Sequence, residues 1–203
     1  MERTRSLRKR PPLLPNPPLD MAVPTNSGRM DLLEILAGRL GKRDILELCA
    51  ACSGTSGDAL KAELFSLISH ADDRVGYNAL WVFTHFPPED MRWLEPKRCE
   101  LVATALHTVH MGKRRLALTL LDRLPAAWGD VDADYIDFCL SRINSTEPYG
   151  VRALCIKQAF AICRSYPELT VELKNELELM GYGDLPPGIL SVRKRIMRSL
   201  STL

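Results

Sequence analysis

The sequence predicts an all-α fold, a short right-handed α-solenoid of about four to five helical hairpins. Three observations carry this. Apolar residues recur at i, i+3 and i+4 from Met30 to near the end of the chain, the spacing of one helix face. No segment has the turn-bounded alternation of a strand. Features of the stronger helices also return at a period near 40: Arg74-Val75 and Arg115-Leu116 stand 41 apart, and the helix-ending Pro87, Pro125 and Pro167 are spaced by 38 and then 42.

Residues 1–28 come first and read as a disordered basic, Pro-rich tail or leader. Arg3, Arg5, Arg8, Lys9 and Arg10 stand against Glu2 and Asp20, and six of the 14 prolines lie between Pro11 and Pro24. Proline at that density removes amide donors and favours extended chain. Met21 and Met30 are candidate starts besides Met1, and a basic arm for nucleic acid or an anionic membrane is the alternative reading of the tail.

Residues 29–203 read as one helical repeat domain. Leu32, Leu33, Leu36 and Leu40 form the first stripe, which Gly41 is expected to end. Ile45, Leu46, Leu48, Cys49 and Cys52 make the second, closed by Gly54. Thr55 or Ser56 is then expected to cap a helix carrying Leu60, Leu64, Leu67 and Ile68. Asp72 opens the segment DDRVGYNALWVFTHF, and Pro87-Pro88 stop it. PKRCELVATALHTVH runs up to Gly112, and KRRLALTLLDRL stops at Pro125. DADYIDFCLSRI, YGVRALCIKQAFAICRSY, ELTVELKNELELM and PPGILSVRKRIMRSL complete the set.

PYGVRALCIKQAF resembles the second helix of the HEAT-like repeat family, with Val151-Arg152 followed by a small residue and then Leu154, Cys155, Ala159 and Phe160. DRVGYNALWVF is a second, weaker match, and the resemblance covers about residues 30 to 200. It departs from the family at Thr146, where an acid often stands six residues before the Arg. The resemblance implies architecture more than role.

Composition narrows the function. The chain has 203 residues and 22.8 kDa, enough to bury a core without disulfide or metal staples. The tail is +3 and the remainder −1, so a strongly basic nucleic-acid-binding domain is not expected. No apolar stretch reaches the ~18 residues of a membrane span, and none follows the basic start as a secretory signal would require. The six cysteines mostly sit in apolar runs, which fits a reducing, cytoplasmic setting.

No catalytic or metal constellation is legible. Cys49-Ala-Ala-Cys52 has no second pair at zinc spacing and no βαβ context, so both thiols are expected in the core. Cys99, His107 and His110 cannot converge from one helix, and the two histidines read as a solvated helix end. Asp130, Asp132 and Asp134 imitate half a calcium loop, but Tyr135 and Ser141 stand where Gly and Glu are needed; Asp132 or Asp134 is expected to cap a helix instead. Gly54-Thr-Ser-Gly57 lacks the strand of a nucleophile elbow, and Gly112-Lys113 lacks the upstream Gly of a phosphate loop. Neither the Met-Pro-x-Lys-x-Asn core of β-eliminating lyases nor a need for any cofactor appears.

What remains is surface. Arg74, Tyr77, Asn78, Trp81 and His85 lie opposite the apolar stripe of their helix, and later helices offer Lys113, Arg114 and Asp122, then Arg152 and Lys157. The expected binding residues are Arg74, Asn78, Trp81, Lys113, Arg114, Arg152 and Lys157, on a polar, partly basic groove with an aromatic anchor. The competing reading buries Trp81 between hairpins and bonds the arginines to neighbouring helix ends. Arg193, Lys194, Arg195 and Arg198 read as a solvated last turn. The function expected is a non-enzymatic scaffold or adaptor that binds a protein or peptide on its inner helical face. The alternative is nucleic-acid recognition, since HEAT-like DNA alkylation repair proteins are similar in architecture and imply an acid beside Trp and Arg in a basic cleft. A homodimer formed by stacked end hairpins is a third expectation.

Overall fold

A computed structural model of the chain describes residues 31–126, 133–181 and 185–201. The leader, Asp130 and Asp132 lie outside them. Helix α1, Leu32–Ala37, begins where Asp31 Oδ1 accepts from the amides of Leu33 and Glu34. It ends at Gly38, three residues before the expected stop at Gly41, which instead precedes α2 (Lys42–Ala51). A 3₁₀ turn over Thr55–Gly57 intervenes before α3 (Asp58–Ser66), so neither Thr55 nor Ser56 caps that helix as expected. A second 3₁₀ turn, Leu67–Ser69, extends α3. Helix α4, Asp73–Phe83, starts as predicted, with the Arg74 amide donating to Asp72 Oδ1 at 2.8 Å.

The sequence reading placed nothing between Pro87 and the next hairpin, yet α5 (Pro88–Met91) and a 3₁₀ segment (Arg92–Lys97) fill that stretch. Met91 and Leu94 are buried there, and Trp93 stacks on Phe83 at 6.2 Å while meeting Phe65 edge-on. Two turns with only three apolar anchors are too short to show a helical period. Then follow α6 (Arg98–His107), α7 (Met111–Arg123), α8 (Ala133–Ile143), α9 (Tyr149–Cys163), α10 (Thr170–Leu179) and α11 (Pro187–Leu200).

These helices pack as hairpins: α3 and its extension on α4, α6 on α7, α8 on α9, and α10 on α11. The second helix of each hairpin touches the next, so α1, α4, α7, α9 and α11 form one continuous layer. The first helices α6, α8 and α10 neighbour one another behind it. The described residues are helical with no strand, an all-α solenoid. Each hairpin buries an apolar stripe it could not bury alone, which is why the repeat must stack.

The second helices begin at residues 73, 111, 149 and 187, each 38 after the last. The pairing of Arg74 with Arg115 at 41 therefore misses the structural register by three. In register, Arg74 corresponds to Gly112, Gly150 and Gly188, and Arg114 to Arg152. The α4 hairpin packs closely at Gly76, where a Cβ would stand 2.4 Å from the Ile68 carbonyl oxygen.

At the amino end a buried ion pair locks the irregular segments. Lys61 Nζ reaches Asp90 Oδ1 at 3.0 Å and Asp58 Oδ1 at 3.1 Å, and donates to the Gly54 carbonyl at 2.8 Å. Asp90 accepts from the Gly54 amide as well. Burial pushes the Asp90 carboxyl up, but the Lys61 ammonium and the Gly54 amide outweigh it and hold the group below its ordinary value.

Candidate functional site

Why the second helices carry so many arginines is answered by the carbonyls they meet. A helix leaves its last four C=O groups without partners, and cations suit its C-terminal dipole. In α7, Arg114 Nε donates to the Ala105 carbonyl in the last turn of α6 at 3.1 Å. In α9, Arg152 Nε donates to Ile143, the last residue of α8, at 2.8 Å. In α11, Arg193 Nε donates to Leu177 in the last turn of α10 at 2.6 Å. Each of these arginines thus ties the second helix of a hairpin to the end of the first. Asn78 does the same for α1, with Nδ2 donating to the Leu36 carbonyl at 2.8 Å and to Gly38 at 3.2 Å.

The expectation for Asn78, Lys113, Arg114 and Arg152 is corrected accordingly. Asn78 is buried under α1. Lys113 is buried with its ammonium on Asp73 at 3.1 Å. Arg114 pairs with Glu147 and also bonds the Thr108 carbonyl. Arg152 lies half-buried over the Tyr149 ring. These side chains hold hairpins together because a free helix end offers a fixed acceptor within reach, and a spacing argument cannot see the acceptor. The acid missing at Thr146 has a substitute one residue later: Glu147 serves Arg114 of the preceding hairpin. Arg193 is likewise buried, not part of a solvated last turn.

Arg74 and Trp81 remain on the surface, with Asn78 at the base between them. They line an open depression of about 500 Å³ at the junction of α1, α4 and the start of α7, with Gly38, Arg39, Leu40, Tyr77 and His110. Its wall is an aromatic row. His110 stands 5.8 Å from Tyr77, Tyr77 stands 6.4 Å from Trp81, and Trp81 stands 5.9 Å from His85. Tyr77 and Trp81 are four residues apart on one face of α4, and His85 follows four later in the turn beyond its end. Trp81 is half-buried, so it is both packed and available. Sequence reasoning missed His110: it caps α7 by accepting from the Lys113 amide at 3.1 Å, and that role turns its ring toward Tyr77. Arg39, on the loop after α1, was missed too, because nothing local marks a loop arginine.

Lys157 sits elsewhere on the same layer. It pairs with Asp122 at 2.6 Å and, with Phe160 and Arg195, borders a second depression between α7, α9 and α11. The site therefore gathers Arg74, Asn78 and Trp81 in one place and leaves Lys157 two helices away.

Among the described residues no group of three His, Cys, Asp or Glu side chains could hold a metal ion. Burial pushes the Cys49 thiol up to about 11, with the Asp90 charge adding to it, and burial does the same for Cys52. A thiol so shifted is protonated at neutral pH and is a poor nucleophile. The six cysteines are free. No helix among the described residues is long and apolar enough to cross a membrane.

A family model described as a HEAT repeat domain matches residues 32–200. No curated protein and no solved structure matches the chain.

Proposed function

The chain belongs to the HEAT repeat domain family, and from that membership we propose that it is a non-enzymatic scaffold that binds a protein or peptide on the layer formed by α1, α4, α7, α9 and α11. The observation that carries the reading is the depression beside Trp81. Two half-buried aromatic side chains, Tyr77 and Trp81, flank it, and Arg39 and Arg74 rim it. Aromatic and arginine side chains in a concave patch are the residue types that dominate binding energy at interfaces. We place the protein in a reducing, cytoplasmic compartment on the strength of its free thiols.

The test is a peptide array probed with the full chain and with Trp81→Ala and Arg74→Glu. The reading expects a set of captured peptides whose signal falls at least tenfold in both variants, with thermal midpoints unchanged. Capture that survives both substitutions, or an array with no captured peptide, overturns it.

A further inference from the structure

We propose, resting on the peptide-binding reading above, that the partner segment is acidic and bipartite. An aromatic side chain flanked by carboxylates seats in the depression beside Trp81, and a second acidic cluster about eight residues away lies over α11.

The charge is divided between the two layers. Helices α4, α7, α9 and α11 carry eleven Lys and Arg against two Asp, whereas α3, α6, α8 and α10 carry four Lys and Arg against eight Asp and Glu. A near-neutral body thus presents one strongly positive layer. Both acids of α4, α7, α9 and α11 are already paired, Asp73 with Lys113 and Asp122 with Lys157, and α1 adds the exposed Glu34 to the layer. Five of its cations are committed to internal bonds: Lys113, Lys157, Arg114, Arg152 and Arg193. A sixth, Arg123, donates to the Thr84 and Phe86 carbonyls at the end of α4.

The rest are exposed and have no side-chain partner among the described residues, and all but Arg115 fall into two groups. Arg74 joins Arg39 at the rim of the depression, and Arg115, on α7 between the two groups, stands beside Gly150 of α9. Lys194, Arg195 and Arg198 stand on α11. Between the groups lie Thr119 and the neutral Lys157–Asp122 pair. In the 38-residue register, Trp81, Thr119, Lys157 and Arg195 occupy equivalent positions on four successive helices. Helix axes pack about 8–10 Å apart, so Trp81 and Arg195 are separated by roughly 25–30 Å. An extended peptide covers that distance in about eight residues.

Two positive ends and a middle whose one uncommitted cation is Arg115 favour a peptide over a nucleic acid. A phosphate backbone carries its charge at every nucleotide and would lay charge over Asp122, whereas a peptide can leave its centre uncharged. The cations are mostly arginine, whose planar fork matches a carboxylate with two parallel hydrogen bonds. The rings of Tyr77, Trp81 and His110 supply the wall for an aromatic anchor.

Fluorescence anisotropy of the full chain tests this with three labelled peptides of the form Glu-Glu-Trp-Glu-Glu, a Gly-Ser spacer, and four Glu. One has an eight-residue spacer, one a two-residue spacer, and one keeps the long spacer with Lys in place of every Glu. The long acidic peptide should bind at least tenfold tighter than the short one, and more weakly as salt rises. Arg195→Glu should remove that advantage, and so should Arg74→Glu, both at exposed positions whose change leaves the thermal midpoint in place. Equal binding of the two acidic peptides, or preference for the Lys peptide, overturns the bipartite acidic partner and leaves the peptide-binding reading standing. Absence of binding by all three overturns the bipartite acidic partner and leaves the peptide-binding reading to the array. Displacement of the long peptide by a twelve-nucleotide oligothymidylate that itself binds more tightly overturns both in favour of nucleic acid.

Discussion

Two arginines of this protein can differ only in what their guanidinium meets. Arg114 is buried against Glu147 and two carbonyls, and Arg195 meets solvent. Removing Arg114 would leave Glu147 buried and unpaired, a loss on the order of 3–5 kcal/mol. The same logic governs Lys61 and Asp90, both nearly inaccessible. The Asp90 carboxyl is held below its ordinary value, so its contribution is complete above that value and is lost as pH falls through the lower, folded one. Burial lowers the Lys61 ammonium, but Asp90 and Asp58 outweigh it and raise the group. Its contribution is complete below the ordinary lysine range and fades only in strong alkali. Unfolding in urea should therefore become easier as pH drops below about 4, the ordinary carboxylate range. In Asp90→Asn that acid limb should flatten, from a stability already lower at pH 7. An acid limb of unchanged depth in the variant contradicts the role given to this pair.

At the scale of the helix, the repeat is clearest in glycine. Gly112, Gly150 and Gly188 all occupy the second position of a second helix, yet their surroundings differ. A Cβ at Gly112 would stand 2.9 Å from both the Tyr77 and His110 rings, whereas nothing lies within 4 Å of one at Gly188. Gly188→Ala should raise stability by up to about 1 kcal/mol, as expected for relief of glycine's entropy in a helix. Gly112→Ala should not, and it should displace the aromatic row, which near-ultraviolet circular dichroism would register. Equal effects at both positions would contradict the packing described at the mouth of the depression.

Helices with long apolar stripes were legible in the sequence: α4, α7, α9 and α11 begin within two residues of the expected places, because periodicity and proline stops agree there. The short turns over Thr55–Gly57 and Arg92–Lys97, and a third over Pro167–Leu169, were not, since three to six residues cannot show a period. Of the depression's lining, Arg74 and Trp81 were legible from their position opposite the stripe. Asn78, Lys113, Arg114 and Arg152 satisfied the same criterion and are nevertheless internal. Their carbonyl and carboxylate partners come from the first helix of their own hairpin, from the preceding hairpin or from loops, and a helix read alone does not contain them.

The whole molecule is a stack in which each second helix touches the next, and its charge is sorted by layer. The first helices are acidic and the second basic, so one face can attract a partner while the body stays close to neutral. Within the basic layer Lys113, Arg114, Arg152 and Arg193 join helices internally, and the exposed Arg74, Lys194, Arg195 and Arg198 are the cations proposed to meet a partner. One measurement addresses that division directly. Thermal unfolding would be recorded for the unaltered chain, Arg152→Met and Arg195→Met, each with and without the long acidic peptide. Arg152→Met should melt several degrees lower, since the Ile143 carbonyl loses its donor at a cost of about 1–3 kcal/mol, and should keep its stabilisation by peptide. Arg195→Met should melt with the unaltered chain and lose most of the peptide's stabilisation. An exchange of these outcomes, or two variants that behave alike, would contradict the division.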